Sequence, residues 1–165
     1  MFDAFLLWFE STTFSIWVRE SPSIFAFPMI LAVHTIGLGL LAGINSALDL
    51  RILGIAKGIP VLEFRRFLPV MWLGLWLNVS SGILLLIAYP TKALTNPVFY
   101  LKLALIAVAL RILRAVRRRA LTEGAAPGTV KALAAWSLVC WASVITAGRL
   151  LAYTHRHLTA WSLFQ

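Results

Sequence analysis

Long apolar runs, each bounded by charge, divide this chain. The first, residues 24–48, holds 25 residues without a Lys, Arg, Asp or Glu. As a helix it is long enough to cross the ~30 Å hydrocarbon core of a bilayer. Further runs lie at about 67–89, 98–113 and 131–153. Ahead of them, in residues 2–19, Phe2, Phe5, Leu6, Phe9, Thr13, Ile16 and Trp17 recur at helical spacing, while Asp3, Glu10 and Ser11 fall largely elsewhere. That segment is too polar to span. It reads as an amphipathic helix in the membrane interface with Trp8 and Trp17 near the headgroups, or as a helix packed on the bundle. The expected fold is all-α: a polytopic membrane protein, one domain over 1–165, built as a four-transmembrane-helix bundle with an N-terminal amphipathic interfacial helix.

Local signals refine the runs. Ser21-Pro22 offers an N-cap and a first-turn proline for the first span, with Pro28 bending its outer end. Gly39 and Gly43 form a small-xxx-small pair that admits a close helix neighbour. Gly74, Asn78 and Gly82 recur at four-residue intervals, so this stripe of the second span faces another helix rather than lipid. Asn96-Pro97 restarts a helix, and Gly124, Pro127 and Gly128 mark the turn before the fourth span.

Composition supports lipid as the solvent. The chain is 61% hydrophobic and 13% charged, with a mean hydropathy of +0.88, whereas soluble chains are about a quarter charged. The net charge of +9 does not indicate nucleic acid, because the cations cluster between the apolar runs. Ten of the fifteen Lys and Arg fall in two loops if the N-terminus is outside (Arg51, Lys57, Arg65, Arg66, Arg111, Arg114, Arg117, Arg118, Arg119 and Lys131). The positive-inside rule then places both termini outside. Cys140 is the only cysteine, which excludes a disulfide framework. The acid at Asp3 and the lack of a basic start do not read as a cleaved signal peptide.

Ionisable groups inside spans are costly, so each is a candidate functional residue. His34 lies near the middle of the first run, while Lys102 and Arg149 fall nearer the outer ends of the third and fourth. Asn78 is near mid-depth. An imidazole below two cations suits an anionic, amphipathic ligand: a haem b whose iron His34 ligates and whose propionates pair with Lys102 and Arg149, or a quinone, or a lipid headgroup. His155 and His157 stand closer to the surface than His34, so one chain offers no two histidines at one level; a homodimer would supply the second. Equally, Lys102 and Arg149 snorkel and His34 bonds Asn78 or a backbone carbonyl. Met29, Met71 and Cys140 fall at different depths and read as packing residues. Asp49 with Arg51, Arg65 or Arg66 reads as a charge network at the cytoplasmic edge. No P-loop, HExxH or GxSxG is present, so the chain is not expected to be an enzyme by itself.

Several short stretches carry a family likeness. Arg65-Arg66-Phe67 leading into a span, Ser81-Gly82 within it, and Tyr100-Leu101-Lys102-Leu103 opening the next resemble the CopD-like copper-resistance membrane domain. The stretches around His34, around Asp49-Leu50-Arg51 and from Ala147 to Tyr153 look closer to a family of small bacterial four-span proteins of unknown function. The resemblance implies a bacterial inner membrane and either copper transport or a cytochrome-b-like redox role, with His34, Lys102 and Arg149 at the family's polar positions. A non-catalytic subunit of a larger membrane complex is the remaining alternative.

Overall fold

The computed structural model describes residues 2–55, 57–121 and 127–161, with side chains described for 6–55, 57–120 and 128–151. The described residues form helices and turns, with no strand. Two short helices, α1 (Phe2–Glu10) and α2 (Thr13–Glu20), precede the long α3 (Phe27–Leu53). A 3-10 segment, Val61–Phe67, leads into α4 (Leu68–Ala88), followed by the short α5 (Pro90–Leu94), α6 (Pro97–Leu121) and α7 (Pro127–Trp161).

Three stretches are long and apolar enough to cross a membrane: Phe27–Leu53, Val61–Ala88 and Gly128–Leu151. Their outward faces are apolar, with Ile36, Leu73, Trp76, Ile83, Trp136 and Val139 all more than half exposed. Such a surface belongs in lipid. The third expected span, 98–113, is part of α6, whose Lys102, Arg111 and Arg114 keep it out of the apolar set. Nevertheless α6 shares the core: Ala109 and Leu113 pack with Leu41 and Ala42 of α3, Met71 of α4, and Trp141 and Val144 of α7.

The helix starts differ from the sequence reading. Ser21 does not cap the first span; it ends α2, its N–H bonded to Trp17 O. Ser21 and Ser23 hydroxyls accept from the N–H groups of Ser23 and Phe25 and so hold an intervening turn. Pro28 then lies in the first turn of α3 rather than bending it, because the N–H that proline lacks has no intrahelical partner there. At the other end Gly54 closes α3 in the left-handed region at φ 107°, where a side chain would be strained. Asn96 restarts the chain as expected: its Oδ1 accepts from Val98 N at 2.9 Å.

The amphipathic segment is two helices, not one. Thr12 turns out of helical geometry and its hydroxyl accepts from Ser15 N, which begins α2 afresh. Ser15 is buried and donates to Ile87 O at 3.0 Å, and Val18 packs with Ile30 and Ala88. Glu10 accepts from Thr91 at 2.7 Å. Both short helices are thus anchored on the end of the bundle formed by the α4–α5 corner, while Leu7, Trp8, Phe14 and Trp17 stay exposed.

Helices α3 and α4 approach most closely at two glycines. A Cβ on Gly37 would stand 2.7 Å from Asn78 N and 2.8 Å from Gly74 O; one on Gly74 would stand 2.7 Å from Leu40 Cβ. Gly39 and Gly43, the pair singled out by spacing, are exposed with nothing near their Cβ positions. The face that buries Gly37 and Leu41 necessarily turns them away. Gly37→Ala and Gly74→Ala should each destabilise the protein by about 1–3 kcal/mol through overpacking, while Gly39→Ala should be neutral or stabilising by about 0.5–1 kcal/mol. Denaturant unfolding in detergent checks this; equal effects at Gly37 and Gly39 would contradict the assigned interface.

Candidate functional site

The α3–α4 contact carries the histidine. One turn before Gly37, His34 places Nδ1 3.1 Å from Asn78 O and 3.1 Å from Ser81 Oγ. Asn78 returns the contact, its Nδ2 donating to His34 O at 2.9 Å. Gly82 lies against the ring; a Cβ there would come within 3.3 Å of His34 Cε1. The expected stripe of Gly74, Asn78 and Gly82 therefore does face another helix.

These neighbours decide the imidazole tautomer. Asn78 O is a backbone carbonyl and can only accept. The Ser81 hydroxyl donates to Leu77 O at 2.5 Å, so its oxygen is free to accept. Both groups beside Nδ1 are thus acceptors, and neutral His34 carries its proton on Nδ1. The Nε2 lone pair is left as an acceptor or ligand; the Asn78 amide nitrogen stands a marginal 3.5 Å from both ring nitrogens and so does not choose between them. An imidazole anchored at Nδ1 on a carbonyl, offering Nε2, is the usual arrangement of a metal-ligating histidine.

Lys102 is the second member of the site. Its Cε and Nζ lie on Gly148 of α7, each 3.7 Å from where a Cβ would stand. The half-buried ammonium makes no hydrogen bond or ion pair among the described residues. Helix register explains its proximity to His34. Asn45 of α3 bonds Ser137 of α7 at 2.8 Å. Eleven residues from each, in opposite chain directions, lie His34 and Gly148. Equal steps of ~1.5 Å along antiparallel helices bring both to one level. Lys102 therefore reaches the level of the imidazole rather than staying above it.

Arg149 does not join them. It is exposed and makes no hydrogen bond or ion pair among the described residues, as a cation reaching for headgroups would be. The side chains of His155 and His157 lie outside the described residues. Met71 is buried in the core, Cys140 packs against it and Met29 is exposed, so these sulfur atoms form no common site. Among the described residues, no three of His, Cys, Asp or Glu gather where they could hold a metal ion.

Asp49 does not lie in the expected edge network with Arg51 or Arg66. Arg51 donates instead to Ile59 O and Lys57 O, and Arg66 pairs with Glu63 at 3.2 Å. Asp49 is fully buried and bonded to Asn45. Ser81 as a partner of His34, and the Asn45–Asp49–Ser137 group, are what sequence reasoning missed. The four-residue spacing of Asn45 and Asp49 was the one available signal.

Searches against protein-family models, curated proteins and solved structures find no match for this chain. The tautomer is directly measurable. Nitrogen-15 NMR of labelled protein should show His34 protonated at Nδ1 and bare at Nε2 at alkaline pH, and the reverse pattern would reject the assignment.

Proposed function

We propose that this chain is a four-span protein of a bacterial inner membrane, and that His34 and Lys102 bind the polar head of an amphipathic redox ligand. The carrying observation is the orientation of His34. With Nδ1 held by Asn78 O and Ser81 Oγ, Nε2 faces its ligand as a lone pair. A lone pair suits two partners: the iron of a b-type haem, or the hydroxyl of a quinol. It suits the carbonyl of an oxidised quinone less well, because that oxygen also accepts. Lys102 supplies a positive charge beside the imidazole, for a haem propionate or a deprotonating quinol oxygen. Haem, when bound, would supply one-electron chemistry; the chain's part is to ligate at Nε2 and to balance charge at Lys102. Copper handling, implied by the CopD-like resemblance, has less behind it, since the described residues hold no cluster of metal-binding side chains.

Packing supports α6 as the fourth span. It runs 25 residues, Pro97–Leu121, or about 37 Å, and shares a core with the three apolar helices. The adjoining ends of α3 and α4 carry Arg51, Arg65 and Arg66, and the end of α6 carries Arg114, Arg117, Arg118 and Arg119. In an up-and-down bundle these ends share one side, which the positive-inside rule makes cytoplasmic.

Gently purified protein, supplied with haem and with quinol in turn, should bind one of them, seen as a Soret band or as extractable quinol. His34→Ala should abolish binding. Lys102→Gln should weaken it about tenfold, the loss of one charge-assisted contact. Wild-type protein that binds neither ligand would overturn the reading. For topology, cysteines introduced at residues 58 and 124 should be shielded from a membrane-impermeant thiol reagent in intact cells, and one at residue 22 labelled. Labelling at 124 with 58 shielded would remove α6 from the spanning set.

A further inference from the structure

A second polar group lies in the opposite half of the bundle from His34 and owes nothing to the reading above. Asn45 Nδ2 donates to Asp49 Oδ2 at 2.9 Å and to Ser137 Oγ at 2.8 Å. All three residues have 0% exposure. Two more oxygens in the group, Asn45 Oδ1 and Asp49 Oδ1, are buried without any hydrogen-bond partner. The partner shown for the Asp49 carboxylate is the Asn45 amide, not a Lys or Arg. A charged carboxylate buried without counter-charge is strongly unfavourable, so Asp49 is neutralised either by a proton or by a cation beside it.

The donor set selects among cations. A carboxylate, an amide carbonyl and a hydroxyl are hard oxygen ligands, which favour s-block cations over transition metals. One carboxylate balances one positive charge. A divalent ion would keep an uncompensated charge in apolar surroundings, and no second acid gathers with Asp49 among the described residues. Turning the Asn45 amide over costs little shape, because its two ends are nearly isosteric. Oδ1 then takes the place of Nδ2, close enough to Asp49 Oδ2 and Ser137 Oγ for the three oxygens to share one small ion. The overturned amide leaves its NH2 where Oδ1 stood without a partner; a proton on Asp49 Oδ1, the alternative, leaves Oδ1 there instead.

We infer that Asn45, Asp49 and Ser137 form a binding site for one monovalent alkali cation that ties α3 to α7 inside the bundle. Na+ is the probe. In detergent-solubilised full chain, replacing N-methylglucamine chloride with NaCl at equal ionic strength should raise the unfolding temperature saturably. The shift should be about 5–10 °C at a hundredfold excess over Kd. Radioactive sodium should bind at one ion per chain. Asp49→Asn should remove both effects, and Ser137→Ala should weaken both; if Asp49→Asn does not fold, Ser137→Ala and the binding stoichiometry decide. An unfolding temperature indifferent to Na+, with no sodium retained by folded wild type at neutral and alkaline pH, would overturn the assignment. An infrared band of a protonated carboxylic acid, present in Na+ and lost in Asp49→Asn, would overturn it in favour of a proton.

Discussion

The close approach of α3 and α4 at Gly37 and Gly74 is the constraint on which the rest depends. Within lipid, burying apolar side chains against one another gains little over leaving them in acyl chains, so packing and interhelical hydrogen bonds must hold helices together. Two glycines facing across one interface bring backbones near enough for Asn78 to reach the carbonyl of His34 and for His34 to reach the carbonyl of Asn78. The same rotation of α3 that buries Gly37 buries Leu41, Asn45 and Asp49 one, two and three turns further on. It also turns Gly39 and Gly43 outward. One contact thus decides which residues of the longest apolar run become internal.

The bundle separates its polar groups by depth. In one half, His34, Asn78 and Ser81 bond one another, with Lys102 at the same level. In the other, Asn45, Asp49 and Ser137 form an oxygen-rich group. Between them lies a layer of Leu41, Met71, Ala109 and Val144 that also buries Trp141, its indole N–H without a hydrogen-bond partner. That layer insulates the two groups from each other, and each is held by a different helix pair: α3 with α4 above, α3 with α7 below. Helix α3 is common to both. A ligand bound at either group would therefore act on the placement of the same helix.

The N-terminal helices add a third element of design. Ser15, Val18 and Glu10 tie α1 and α2 to the corner where α4 gives way to α5. Their remaining surface, with Trp8, Phe14 and Trp17, is aromatic and exposed. Packing and interfacial placement are thus compatible: one face of the pair meets the bundle and the other is suited to headgroups.

Much of this architecture was legible in the sequence because lipid imposes a simple rule. Apolar length sets the helices, and charge sets their ends. The positions of α3, α4 and α7 follow from that rule, while the restart at Asn96-Pro97 and the inward stripe of Gly74, Asn78 and Gly82 were legible from helix-start chemistry and from the spacing of small and polar residues. What hydropathy leaves open is rotation about the helix axis, since a run that is apolar all round has no marked inner face. Tertiary contact decided that Gly37 rather than Gly39 meets a neighbour, that Asp49 goes inside rather than to the charged edge, and that Arg149 stays out. It also decided axial register. Lys102 counts as shallow along its own helix, yet its ammonium lies on Gly148, which the Asn45–Ser137 contact sets level with His34. Distance along a chain measures depth within one helix; only the fit of one helix against another aligns two.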